Sequence, residues 1–349
     1  MPRRTPAGAG APVASLVPMF LRTSVLKRAA LLTACCLYGL AAALSVQAQQ
    51  RNPDQMMGRT VLDAPSSSYR FERFVVHSPD GERHWRVNLA IPLKPSATPA
   101  PVLYALDGNA VAMVLDPPLL TELAASKAPP VLVLVGYDNE RRIDSLQRTR
   151  DYTAWIDRAD DENGTAQVVG GGAFAFQEVI ERQIKPEVAR RANVDAQQQA
   201  LWGHSLGGLF VLSSLYTRPA AFQHYIAASP SLWWSQGAPL GDMETQFSEN
   251  RAGQSAQLWV MLGGDERTGN RGVRDMGNPR VVAHLRRIGG APPDAAQALA
   301  GRLATQPGLE VRYREFPGLG HGPMLPASFK AALSALYGIA DHSGDPARP

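Results

Sequence analysis

The chain has 349 residues, 45% of them apolar and 19% charged, which suffices to bury a large core and is unlike a disordered or fibrous composition. Its formal charge of +4 originates in residues 1–48, which carry Arg3, Arg4, Arg22, Lys27 and Arg28 and no acid; beyond them 30 basic residues face 31 acidic ones. A near-neutral body lacks the basic footprint that drives binding to a phosphate backbone, so nucleic-acid partners are excluded.

At the N-terminus, Lys27-Arg28 precede an apolar run from Ala29 to Val46, followed by the small-residue pattern Val46-Gln47-Ala48. Residues 1–48 therefore read as a secretory signal peptide, with an upstream extension before Met19. The alternative is an uncleaved membrane anchor, because the run approaches the length of a short transmembrane helix. Both cysteines, Cys35 and Cys36, lie within it, so disulfides, thiolate catalysis and cysteine-bound zinc are not expected of the mature chain. Residues 49–68 read as a flexible linker, 69–340 as the folded domain and 341–349 as a frayed tail.

Two alternating runs, Phe71 to His77 and Trp85 to Ile91, flank Ser78-Pro79-Asp80-Gly81, which predicts an antiparallel hairpin. Short apolar runs follow at Val102–Leu106, Val131–Gly136, Ala200–Trp202, Tyr225–Ala228, Leu258–Leu262 and Val311–Phe316, the pattern of buried parallel strands. Helix-like spacing lies between and beyond them, over Phe174–Arg191, Leu209–Tyr216, Pro279–Ile288 and Phe329–Tyr337, with Pro186 expected to kink or split the first. The polar, Gly-rich stretch Arg141–Gly172 reads as a long loop. An antiparallel hairpin feeding alternating strands and helices predicts a mainly parallel sheet covered on both faces, the α/β-hydrolase order.

Gly203-His204-Ser205-Leu206-Gly207-Gly208 lies between a strand and a helix, where a nucleophile elbow belongs. Side chains at Gly203 and Gly207 are expected to collide with backbone, and the Leu206 N–H to face a substrate oxyanion. A serine hydroxyl needs a base arriving after the last strand, and Gly320-His321-Gly322 supplies His321. The strand at Leu258–Leu262 leads to Asp265 and Glu266, either of which can orient the imidazole, with Glu266 favoured by its distance from the strand end. Asp107-Gly108-Asn109 offers the second oxyanion donor, from the N–H of Gly108 or Asn109, with Gly108 admitting close approach to the substrate. No metal-ligand spacing occurs, and Gly170-Gly171-Gly172 lacks the Lys-Ser/Thr of a phosphate loop, so no cofactor is expected.

The stretches Pro101 to Ala110, Val135-Gly136-Tyr137, Arg148 to Thr153, Gly203 to Gly208, Ala228 to Trp234 and Gly318 to Met324 resemble the periplasmic siderophore esterases. These open the trilactone of enterobactin and salmochelin, within the esterase D-like α/β-hydrolases. The resemblance implies Ser205 as nucleophile, His321 as base, and Arg148, with Arg150 as rival, orienting a ferric or iron-free catecholate siderophore. Asp107 joins that substrate-binding set, and Tyr152, Trp233 and Trp234 would offer aromatic faces to catechol rings. Some members resemble a Ser-His dyad without an acid, so Asp265 and Glu266 are a departure. Two other readings stand beside this one: a general carboxylesterase or acyltransferase, and a non-catalytic siderophore-binding protein.

Overall fold

The computed structural model describes residues 55–94, 98–160, 166–250, 255–269, 282 and 289–344, all within one compact unit, Asn52–Pro349. The signal segment 1–48, most of the helix expected over Pro279–Ile288 and residues 345–349 of the tail lie outside the described residues.

Among the described residues ten strands follow in order: β1 (Tyr69–His77), β2 (His84–Pro92), β3 (Ala100–Leu106), β4 (Val131–Tyr137), β5 (Ile156–Asp160), β6 (Ala166–Gly170), β7 (Val194–His204), β8 (His224–Ala228), β9 (Ala256–Gly263) and β10 (Leu309–Phe316). Eight form one sheet in the order β1-β2-β4-β3-β7-β8-β9-β10, while β5 and β6 pair as a separate hairpin. β1 runs antiparallel to β2 and β2 to β4; every later neighbour in the sheet is parallel.

The central strands are apolar throughout because both faces are covered. In β3, Val102, Tyr104 and Leu106 join one core while Leu103 and Ala105 join the other; β4 splits the same way, Val133 and Val135 from Leu132 and Leu134. That period of two places a helical layer on each side of the sheet. β10 is the exception. As the edge strand it is buried only at its ends, Leu309 and Phe316, and carries Glu310, Arg312 and Arg314, charges that discourage further strand pairing.

The helices are α1 (Gly108–Ala112), α2 (Pro117–Ala125), α3 (Ser145–Asp151), α4 (Ala173–Val179), α5 (Lys185–Arg191), α6 (Leu206–Thr217), α7 (Asp242–Asn250), α8 (Gly264–Thr268), α9 (Ala295–Leu303) and α10 (Met324–Tyr337). Helical backbone is continuous from α4 to α5 through a π turn at Ile180–Ile184. Pro186 sits in the first turn of α5, where the wider turn before it accommodates the ring and its missing N–H.

Three expectations need correction. The stretch Arg141–Gly172 is not a plain loop: it contains α3, capped by Asp144 accepting from the Gln147 N–H (3.0 Å), and the β5–β6 hairpin. Elements of five to seven residues are too short to display a period, so composition concealed them. Described residues of the expected linker are anchored, with Met57 buried and backbone bonds running from Met57 N–H to Glu140 O (2.7 Å) and from Arg142 N–H to Gln55 O (2.8 Å). The start of the tail is held as well, since Glu122 binds the Ala340 N–H and His342, and Asp341 pairs with Arg314.

Candidate active site

Ser205 joins β7 to α6 with φ 63° and ψ −119°, a conformation that a non-glycine residue adopts only when its surroundings impose it. Its N–H donates to Ala228 O (2.9 Å) and its carbonyl accepts from the Ser231 N–H (3.1 Å), fixing the turn against the end of β8. The glycine requirement differs from the expected one. A Cβ at Gly203 would lie 2.3 Å from Gly207 O and one at Gly208 2.8 Å from Ala228 O, whereas at Gly207 it would meet Leu106 at an ordinary 3.6 Å. Leu206 opens α6, so its N–H has no intrahelical acceptor.

A hydrogen-bonded chain leads away from the hydroxyl. His321 Nε2 stands 2.9 Å from Ser205 Oγ, and His321 Nδ1 stands 2.5 Å from Glu266 Oε2. The other carboxylate oxygen accepts from Ser229 Oγ (2.6 Å) and the Gly263 N–H (3.2 Å). Burial pushes the Glu266 carboxyl upward, but the hydrogen bond and charge of His321, with the Ser229 and Gly263 donors, outweigh it and hold the group below its ordinary range. Asp265 takes a different part: its backbone N–H donates to Leu319 O (3.2 Å), tying α8 to the histidine loop. Gly263 lets that loop lie close, since a Cβ there would fall 2.2 Å from Leu319 O.

His204 supports this loop too. Its Nε2 contacts His321 O at 2.9 Å, and because a carbonyl only accepts, the proton belongs on Nε2. The two imidazoles pack with centroids 4.6 Å apart. Ser231, buried behind the nucleophile, places its Oγ 3.3 Å from Ser205 Oγ. Neither Ser229 nor Ser231 was singled out by sequence reasoning. Their signal was Ala228-Ser229-Pro230-Ser231, a polar cluster at the carboxyl end of a buried strand.

Most residues expected to touch substrate turn inward instead. Arg148 is buried, makes a two-pronged pair with Asp107 (Nε–Oδ1 2.9 Å, Nη2–Oδ2 2.8 Å) and donates to His204 O (3.2 Å). Asp107 itself is left-handed at φ 52°, and its N–H donates to Tyr152 Oη (3.0 Å), so Tyr152 offers no free ring face. Trp234 is likewise buried, donating to Trp155 O (2.9 Å); Trp233 is half-buried and Arg150 exposed. Gly108 is required by packing, because a Cβ would strike the Leu134 carbonyl at 2.6 Å. Asn109 turns its side chain away, with Nδ2 donating to the carbonyls of Asn139 and Arg141 (both 2.9 Å).

The Arg-Asp-Tyr-Thr stretch is thus a brace behind the site. Asp151 accepts from Arg83 (2.8 Å), Trp85 (2.7 Å) and Tyr137 (3.2 Å), and Thr153 accepts from the Gly171 N–H (3.3 Å). Sequence reasoning overlooked the cation beside it, Arg142. Its guanidinium is partly buried, lowered by that burial, raised by Asp107 and lowered by Arg148, and has no hydrogen-bond or ion-pair partner among the described residues. Among those residues no cluster of three or more His, Cys, Asp or Glu is spaced to hold a metal ion.

The Esterase family model matches residues 78–274, over half of the chain and spanning Ser205 and Glu266. The protein belongs to this esterase family. At 34% identity over 301 residues the esterase is similar to the apo-salmochelin esterase of Escherichia coli O6:H1, covering 84% of this chain and 87% of that protein. It is 32% identical to the ferri-bacillibactin esterase BesA of Bacillus subtilis, over 69% of this chain and 81% of that one. The solved enterobactin and salmochelin hydrolase IroE superposes with a TM-score of 0.60 at 33% identity, covering 80% of this chain and 99% of its own. The esterase therefore has the α/β-hydrolase fold that its strand and helix order predicts.

Proposed function

We propose that this esterase is a periplasmic serine hydrolase that cleaves the ester linkages of catecholate siderophore trilactones and so releases their iron. The observation that carries the reading is the chain from Ser205 Oγ through His321 to Glu266. Ser205 Oγ attacks the ester carbonyl carbon while His321 Nε2 takes the hydroxyl proton. Ionised Glu266 holds the Nδ1 proton and stabilises the imidazolium. The carbonyl oxygen, now an anion, lies toward the Leu206 N–H and the Gly108 N–H, each the first amide of its helix. The tetrahedral adduct then breaks its bond to the substrate's own ester oxygen, which leaves as an alcohol with the proton from His321, while the acyl group stays on Ser205 Oγ. Water repeats the sequence on the acyl-enzyme and restores Ser205.

The substrate class is supported by the names of the relatives above and by the charge left available. Arg148 is spent on Asp107, whereas Arg142, in the loop after β4, meets a trianionic ferric tris-catecholate; half-buried Trp233 suits a catechol ring. The export reading of residues 1–48 supports a periplasmic site of action.

Purified enzyme given ferric enterobactin should yield linear trimer, dimer and monomer by mass spectrometry. Ser205→Ala should lower turnover by roughly 10⁶. Arg142→Gln should raise KM for the ferric complex about tenfold and leave hydrolysis of a neutral aryl ester unchanged. Intact trilactone after prolonged incubation with active enzyme would sink the proposal.

A further inference from the structure

Away from the serine, a cavity of about 540 Å³ opens between residues 57–67, the segment linking α1 to α2, and α10. Its walls are largely apolar, with Met57, Val61, Met113 and Leu115 among them; Lys330 projects from α10 to line it, and Arg59 lines it as well. Lys330 is only 6% exposed and has no hydrogen-bond or ion-pair partner among the described residues. Asp116, the carboxylate on the rim, caps α2 by accepting from the Leu119 N–H (2.9 Å) and forms no ion pair with it.

The stem of Lys330 is packed away while its ammonium is not fully enclosed and stays open to the cavity, where an anion would gain a charge-assisted hydrogen bond in partly dry surroundings. The cavity has the size of a small-molecule site, and its largely apolar walls with two cations, Lys330 and exposed Arg59, against one carboxylate, Asp116, match a small anion with an apolar body. We infer that it binds a small amphipathic carboxylate, with the carboxylate on Lys330 Nζ and the apolar part against Met113 and Leu115. Two sources have this chemistry: a medium-chain fatty acid, and the aromatic acylserine that the proposed hydrolysis releases. Only the second rests on the proposed function.

Calorimetric titration of the wild-type enzyme with octanoate, with 2,3-dihydroxybenzoylserine and with neutral octanamide tests the inference. At least one carboxylate should bind with Kd of about 1 mM or tighter, and octanamide about tenfold more weakly. Lys330→Met, which keeps the alkyl stem, and Val114→Phe, which fills the cavity, should each weaken the carboxylate about tenfold. Both variants should hydrolyse p-nitrophenyl acetate like the wild type, which shows that they are folded. Octanoate binding alone assigns the fatty-acid source, and loss of acylserine binding in both variants assigns the product. Carboxylate binding that is undetectable, equalled by octanamide, or unchanged in Lys330→Met would overturn the inference, and an octanoate result is independent of whether trilactones are cleaved.

Discussion

Two backbone contacts at the elbow distinguish glycines that look alike in Gly203-His204-Ser205-Leu206-Gly207-Gly208. A methyl group on Gly203 would press on the Gly207 carbonyl of α6 and one on Gly208 on the Ala228 carbonyl at the end of β8, which accepts from the Ser205 N–H, whereas one on Gly207 enters ordinary contact. Gly203→Ala and Gly208→Ala should therefore lose at least about 3 kcal/mol, while Gly207→Ala stays within about 1 kcal/mol because alanine also favours the helix. Denaturant melts of the three variants check this, and equal losses would refute it. Glu266 makes a prediction in pH. Its folded-state pKa is depressed below the ordinary 4.5, so its ionised form contributes stability that is fully present above that value and lost as pH falls through the folded one. The difference in Tm between wild type and Glu266→Gln should hold from pH 7 to 5 and shrink toward pH 3. At neutral pH the same variant should lower kcat by roughly 10²–10⁴, because a neutral amide no longer fixes the imidazole tautomer.

Among the elements, the junction of α4 and α5 stores charge as well as shape. Lys185, first in α5, lies over the Phe222 ring (3.8 Å to the centroid), and its ammonium donates to the Ala221 carbonyl. Burial lowers it to about 8, with Glu181 pulling the other way. Between pH 8 and 10.5 the unfolded chain holds a proton that the folded one has released, so stability rises with pH across that window. Relative to Lys185→Met, wild-type Tm should climb by roughly 3–6 °C from pH 8 to 9.5, and a constant difference would contradict the assignment. The same scale shows what the sequence could reveal. Strands buried on both faces announce themselves as apolar runs, and an elbow between strand and helix carries its own punctuation, so β3, β4, β7, β8, β9 and the positions of Ser205, His321 and Glu266 were legible. Arg148 was not. A guanidinium looks solvated until the fold brings it onto Asp107, 41 residues away in the chain, and no local pattern records that meeting. Short elements such as α1, α3 and α8 escaped because five to seven residues cannot display a period.

Across the whole molecule, the site is assembled where the parallel strands end. Ser205 follows β7, Glu266 follows β9, His321 follows β10, and the loop bearing Arg142 follows β4, all at carboxyl ends where a doubly covered sheet leaves a crevice. The first three are tied to one another by hydrogen bonds, but the Arg142 loop depends on a remote part of the chain. Asn109 clamps it from within, and residues 55–57 pair with it from outside through the Met57–Glu140 and Gln55–Arg142 backbone bonds. Burial of Met57 contributes about 1.5–3 kcal/mol and each backbone bond about 0.5–1.5 kcal/mol, enough to hold a surface loop in one arrangement. A chain starting at Val61 should therefore melt several degrees below one starting at Asn52. If Arg142 anchors the anionic substrate, the shorter chain should also show a KM for the ferric siderophore raised about tenfold, with turnover of a neutral aryl ester changed by less than about twofold. Parallel loss of both activities would mean that the segment supports the serine itself, and an unchanged KM would remove Arg142 from the binding surface.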